Sequence, residues 1–286
     1  MPRKPPSPTV RRLLLGQELR TLRERRELTG QQVAKALRWS ASKVSRIESS
    51  KTMPSPDDIE ALAELFELDD DKLDELLALL HDADKRGWWE GYEDNLPQEF
   101  ITFLGLEAEA VEHRGWEPQV MPGLLQTEDY ARETIVATRG IARLTQGGVR
   151  SRVEARMDRQ QQLLGSPEPP QLLMVLDESV LTRRFGSDKV MRDQLEHLLE
   201  QSQLPHVNLQ VLPLDGKHPV NTGAFVHLKF TDLDDAVYLE SLMGARFVED
   251  QELIAVYELA FENLRTTALS EEASRNLIKL RLEMWR

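Results

Sequence analysis

The sequence predicts a multidomain, mostly α fold: an all-α N-terminal domain, then a C-terminal α+β domain with a small sheet covered by helices. Three observations predict it. The chain has 286 residues, room for about two domains at ~100–200 residues each. Its charge is divided along its length: residues 1–53 hold 13 Lys/Arg against 4 Asp/Glu, residues 54–100 hold 3 against 16, and the rest completes a net charge of −13. Apolar periodicity is mostly helical as far as the breaker Gly165-Ser166-Pro167-Glu168-Pro169-Pro170. Beyond it, apolar runs of strand length alternate with helical stripes.

Composition excludes several classes. Hydrophobic residues make up 40% of the chain and charged residues 30%, which suits a packed core under a solvated surface. No apolar run approaches the ~18 residues of a membrane span, so no membrane partner is expected. The start carries no signal-peptide core, so a cytoplasmic protein is expected, nucleoid-associated when bound to DNA. With no cysteine, disulfide scaffolds, cysteine nucleophiles, iron–sulfur clusters and Cys-type zinc fingers are out. A basic segment beside an acidic one attracts phosphate at one end and repels it at the other, orienting the molecule towards a polyanion.

Four parts follow in order. Residues 1–9, with four prolines, read as a disordered basic arm. Residues 10–68 read as a compact run of short helices, 69–100 as a helical connector, and 101–286 as an α+β regulatory or dimerisation domain. In the second part, Leu13, Leu14, Leu19 and Leu22 make residues 13–27 an amphipathic helix. Thr29 with Gln32 forms a capping signal for a helix Gly30–Leu37, with Val33, Ala34 and Leu37 inward. Arg38-Trp39 make a turn, and Ser40 caps a helix Ala41–Ser49 whose Val44 and Ile47 face the core. Ser55-Pro56-Asp57-Asp58 then starts a closing helix, with Ile59, Leu62, Ala63 and Phe66 buried.

Two short helices joined by a tight turn, the second exposing short polar and cationic side chains near its start, is the geometry of a helix-turn-helix major-groove reader. Arg46 can take guanine O6 and N7 with its two-pronged guanidinium, and Ser42 can reach a base edge. Lys43, Ser49 and Lys51 are better placed for phosphate oxygens. The alternative is a generic three-helix bundle with solvated cations.

Val33-Ala34, Ser40, Ser42-Lys43-Val44-Ser45-Arg46-Ile47-Glu48 and Lys51-Thr52-Met53-Pro54-Ser55 resemble the Cro/CI-like, or XRE-type, repressor domain, which is lambda-repressor-like in fold. The resemblance implies base contacts by Ser40, Ala41, Ser42 and Arg46, and phosphate contacts by Thr29, Lys43, Ser49 and Lys51 on double-stranded DNA. Gly30 stands where many relatives carry a phosphate-clamping Gln, with Gln31 as its substitute. Arg38 replaces the usual turn glycine, and a left-handed backbone there carries a conformational cost.

In the C-terminal part, Thr127 caps a helix Glu128–Thr138 beyond the Pro122-Gly123 break. Gln171–Leu176, Val207–Leu212, Ala224–Phe230 and Ala236–Glu240 read as strands, with a helix Asp188–Gln203 between the first two. Residues 250–268 and the segment after Ser270 are striped helices that pack within the domain or form a homodimer seam. Trp88, Trp89, Trp116 and Tyr130 either line a ligand or partner pocket or fill the core. Trp116-Glu117-Pro118 and the run Pro122-Gly123-Leu124-Leu125-Gln126-Thr127-Glu128-Asp129-Tyr130-Ala131, downstream of Gly87-Trp88-Trp89, resemble a family of actinobacterial regulators. These join an XRE-type domain to a C-terminal domain of undefined function, and are typically encoded near a small acidic partner protein. The resemblance implies a DNA-binding transcriptional regulator working with such a partner; the alternative is an antitoxin-like protein that neutralises it and binds DNA for autoregulation.

Catalysis finds no motif. The six histidines form no His-x-x-x-His pair, and neither a phosphate loop nor a Gly-x-Ser-x-Gly elbow is present. Asp69-Asp70-Asp71 reads as a helix start. Glu107, Glu109 and Glu117 are acids that folding alone could bring together. No enzyme activity, cofactor or metal is expected.

Overall fold

A computed structural model describes residues 8–83, 87–92, 95–231, 233–241 and 244–285. It falls into two compact units, Met1–Glu90 and Gly91–Arg286.

The first unit is all-α: α1 Pro8–Arg25, α2 Gly30–Leu37, α3 Ala41–Glu48, α4 Pro56–Leu65 and α5 Asp70–Ala83. Leu15, Leu19, Val33, Val44, Ile47, Ile59 and Phe66 form one core. Residues 1–7 of the expected arm lie outside the described residues, while Pro8 and Thr9 already belong to α1. The helical connector needs correction. Leu76 and Leu80 of α5 are buried in the same core, so this helix completes the first unit. Its Leu73, Leu76, Leu77 and Leu80 repeat at helical spacing, and burying that stripe is what ties it down.

Helices α1 to α4 each end in a left-handed residue that is not glycine: Glu27, Arg38, Ser50 and Glu67. In each case the next amide reaches back five residues: Leu28 to Arg23, Trp39 to Ala34, Lys51 to Arg46 and Leu68 to Ala63. These are Schellman closures, which satisfy free carbonyls at a helix end. Gly16 lets α1 approach α3. A Cβ there would stand 2.8 Å from the Glu48 carbonyl oxygen and 3.0 Å from that of Ile47.

The second unit contains α6 Gln98–Glu107, β1 Glu112–Glu117, α7 Glu128–Thr138, α8 Gln146–Leu164, β2 Gln171–Asp177, α9 Ser179–Thr182, α10 Asp188–Gln201, β3 Val207–Leu212, β4 Phe225–Lys229, β5 Ala236–Ser241, β6 Gly244–Val248, α11 Gln251–Thr267 and α12 Glu271–Leu282. The strands form one six-stranded sheet in the order β3-β2-β1-β4-β5-β6. β1, β2 and β3 run parallel, and β4, β5 and β6 continue antiparallel from β1. The four expected strands are present; β1 and β6 are additional. Met174 and Leu176 pack with Leu195, Leu198 and Ile278 on one face. Trp116 and Val175 pack with Ile254, Phe261 and Leu264 on the other. By strand alternation, His113, Gly115 and Glu117 point away from Trp116, towards the first of these faces.

Candidate nucleic-acid interface

The helix pair is set by local chemistry first. Thr29 Oγ1 accepts from the Gln32 amide at 3.3 Å and Gln32 Oε1 accepts from the Thr29 amide at 2.7 Å, closing the capping box read from the sequence. Ser40 Oγ accepts from the Lys43 amide at 3.1 Å at the start of α3. Between the helices Arg38 sits at φ 57°, ψ 34°, the left-handed turn expected in place of glycine. Val44 and Ile47 are 3% exposed, which fixes the rotation of α3. Its other end is tied to α1: Arg23 Nε and Nη2 donate to the two Glu48 carboxylate oxygens at 2.7 and 3.0 Å, while Arg23 Nη1 donates to the Leu28 carbonyl at 2.6 Å. This paired geometry is the strong form of an ion pair, and Glu48 holds the guanidinium above its usual pKa.

That rotation leaves Ala41, Ser42, Ser45 and Arg46 exposed on one face. The Ser42 and Arg46 side chains make no hydrogen bond or ion pair among the described residues. Free first-turn amides and the positive end of the helix dipole accompany them. Gln31 and Lys51 are exposed with unpaired side chains among the described residues.

The other proposed phosphate contacts are more committed. Lys43 Nζ is 2.6 Å from Asp58 Oδ1 and 4.0 Å from the centre of the Trp39 ring. Asp58 is itself in a capping box with Ser55 at the start of α4. Burial pushes the Asp58 carboxyl up, but its hydrogen bonds from Lys43 and Ser55 hold it below the usual carboxylate range. Lys43 therefore staples α3 to α4, and can turn to a phosphate only by leaving Asp58. Thr29 is occupied by its capping box, and Ser49 Oγ donates to the Ser45 carbonyl at 2.7 Å. Local sequence spacing marks neither Asp58 nor Arg23 as part of this site; each acts across 15 to 25 residues of chain.

Trp116 and Tyr130 do not make one site. Trp88 and Trp89 lie in a short 3-10 helix, edge to face at 5.7 Å. Trp116 and Tyr130 fill separate cores on opposite faces of the sheet. Trp116 Nε1 donates to the Thr222 carbonyl at 3.4 Å, and the Tyr130 hydroxyl accepts from the Met121 amide at 3.3 Å. Core filling accounts for both, and the pocket expected of them is corrected accordingly.

A polar centre takes its place. Arg159 of α8 meets Glu107 of α6 through two contacts of 2.5 Å in the interior, with His113 Nδ1 3.3 Å from Glu107. Burial pushes the Glu107 carboxyl up, and Arg159 and His113 together more than offset this. The segment after Pro122 is stitched in place by amide side chains. Gln160 Nε2 donates to the Gly123 and Gln126 carbonyls at 2.8 Å, and Gln194 Nε2 donates to that of Leu125 at 2.7 Å. Among the described residues no group of His, Asp and Glu is arranged to hold a metal ion, and no helix is long and apolar enough to cross a membrane.

Comparison with known proteins agrees with this division. Residues 14–76 match the family described as a helix-turn-helix domain, and residues 100–280 match a domain of unknown function, DUF5753. No curated protein and no solved structure matches. The chain is a DNA-binding regulator by its first unit, and by its second it belongs to the DUF5753 family.

Proposed function

We propose that the protein is a sequence-specific transcriptional regulator that binds a palindromic operator as a homodimer, with partner or ligand input through its C-terminal domain and without enzymatic activity. The observation that carries this is the outward face of α3: Ser42 and Arg46 are exposed and uncommitted while the opposite face is locked into the core. One eight-residue helix reads few base pairs. Two related by symmetry, about 34 Å apart, read a palindrome with useful affinity. Self-association is supported by α11, where Leu253, Val256 and Leu259 are 54%, 62% and 64% exposed and lie at the 3–4 residue spacing of one helix flank. Selection from random duplexes by the full-length protein tests the reading. The expected result is two inverted half-sites about 10 base pairs apart, centre to centre, or a multiple of that spacing; enrichment of no sequence sinks it.

A further inference from the structure

We propose that the outer flank of α11 pairs with the same flank of a second copy of this chain, antiparallel, about a twofold axis at Val256. Ile254, Phe261 and Leu264 of this helix pack into the core against the sheet. The flank left outside carries Leu253, Val256 and Leu259, each more than half exposed. Single apolar side chains are ordinary on a protein surface, but a contiguous strip marks an interaction site. Ala255 and Ala260 beside the strip add no bulk, so a second helix can approach to the ~8–10 Å between axes at which helices pack.

The strip reads the same in both chain directions. Leu253 and Leu259 stand three residues to either side of Val256. A twofold axis at Val256 therefore sets Leu253 against Leu259 of the second copy, and Val256 against itself. This is the self-complementarity that an isologous interface requires, and it selects a second copy over an unrelated partner.

Charge sets the direction. Glu249, Asp250 and Glu252 are exposed at the N-terminal end of α11 and make no ion pair among the described residues. Towards the other end Glu258 meets Arg114 and Lys229, and Glu262 meets Arg114 and Arg265, so the acids there are neutralised. Parallel pairing would bring the two unneutralised ends together. Antiparallel pairing places each beside the end that carries Asn263 and Arg265, and opposes the two helix dipoles. A stable interface buries ~800 Å² per partner. One helix flank supplies only part of that, so the pair forms reversibly. Two copies held on adjacent half-sites of DNA meet at high effective concentration, where a weak contact is enough. The pairing stands on α11 itself; only its use on an operator rests on the regulatory reading.

The chain has no cysteine, so one introduced thiol reports one position. In the full-length protein under mild oxidation, Val256→Cys is expected to form several times more covalent dimer than Ile141→Cys, a control 71% exposed in the turn after α7. A disulfide needs Cα atoms within about 7 Å. Leu253→Cys would stand about 9 Å along the helix from its own copy, at about 1.5 Å per residue. It and Leu259→Cys are therefore expected to link poorly alone and readily when mixed. Val256→Glu, at an exposed position, is expected to keep the thermal midpoint of the wild type and to lose the rise of sedimenting mass with concentration. Equal cross-linking at positions 256 and 141 overturns the proposal. So does self-linking of Leu253→Cys as efficient as that of Val256→Cys, or undiminished self-association of Val256→Glu. Selection of inverted half-sites by a chain whose Val256→Cys variant fails to cross-link would overturn this interface and leave the regulatory reading intact. Cross-linking at Val256 with no selected sequence would do the reverse.

Discussion

At the scale of single residues, the candidate interface separates cations that are free from cations already employed. Arg46 is free, and Arg46→Ala should cost about 1–3 kcal/mol of operator binding and relax specificity at one base position. Equal weakening on every duplex would remove it from the base contacts. Lys51 is also free, whereas Lys43 is held by Asp58. Lys51→Ala should therefore reduce the salt slope of DNA binding by about 1, while Lys43→Ala reduces it by clearly less and also lowers stability. Titrations at several salt concentrations decide this, and equal slopes would show that Lys43 leaves Asp58 for phosphate. The caps at Thr29, Ser40 and Ser55 are legible in the sequence because donor and acceptor lie within three residues. The Lys43–Asp58 and Arg23–Glu48 pairs are not, because only the packed helices bring them together.

At the scale of elements, helix ends in the first unit carry strain that sequence chemistry would normally assign to glycine. Replacing Arg38 by Gly removes a left-handed penalty of about 1–2 kcal/mol and adds about 0.5–1 kcal/mol of unfolded-state entropy. The expected net gain is about 0.5–1 kcal/mol, read by urea unfolding; a loss would mean that the Arg38 side chain has a stabilising contact of its own. Gly16→Ala should act oppositely, by about 1–3 kcal/mol, because the new methyl meets backbone carbonyls of α3 as well as the Ser50 hydroxyl, and the carbonyls cannot move aside. Elements with an apolar signature are legible: β3 and α7 have the expected bounds, and β2, β4 and β5 differ by a residue or so at their ends. β1 is not, because Glu-His-Arg-Gly-Trp-Glu carries no apolar alternation; its inward positions hold His113, Gly115 and Glu117, which face the polar centre. β6 is a short strand at the sheet edge, with only Val248 buried. The α8 arginines leave a trace in the sequence, a stripe beside Val149 and Val153, but charge at helical spacing ordinarily reads as a solvated face.

At the scale of the whole chain, a buried and a half-buried carboxyl respond to pH in opposite senses. Glu107 is held below its ordinary 4.5 despite burial, so its contribution is present above that value and fades as pH falls further. Glu117 is raised from 4.5 to about 8. Between those values the folded chain keeps a proton that the unfolded chain has released, and stability must fall as pH rises through the window. Glu117→Gln removes this response while keeping nearly the same shape. The variant should gain over the wild type at pH 8 and lose most of that advantage by pH 5. A tenfold difference in proton affinity between the folded and unfolded chain corresponds to about 1.4 kcal/mol, or about 3–6 °C in the midpoint of a domain of 150–250 residues. Nearby Glu240, Arg156 and Arg159 act on Glu117 in both proteins, so the difference between the two isolates the carboxyl itself. A gain of the same size at pH 5 and pH 8 would show that Glu117 ionises in the folded chain as it does in the unfolded one.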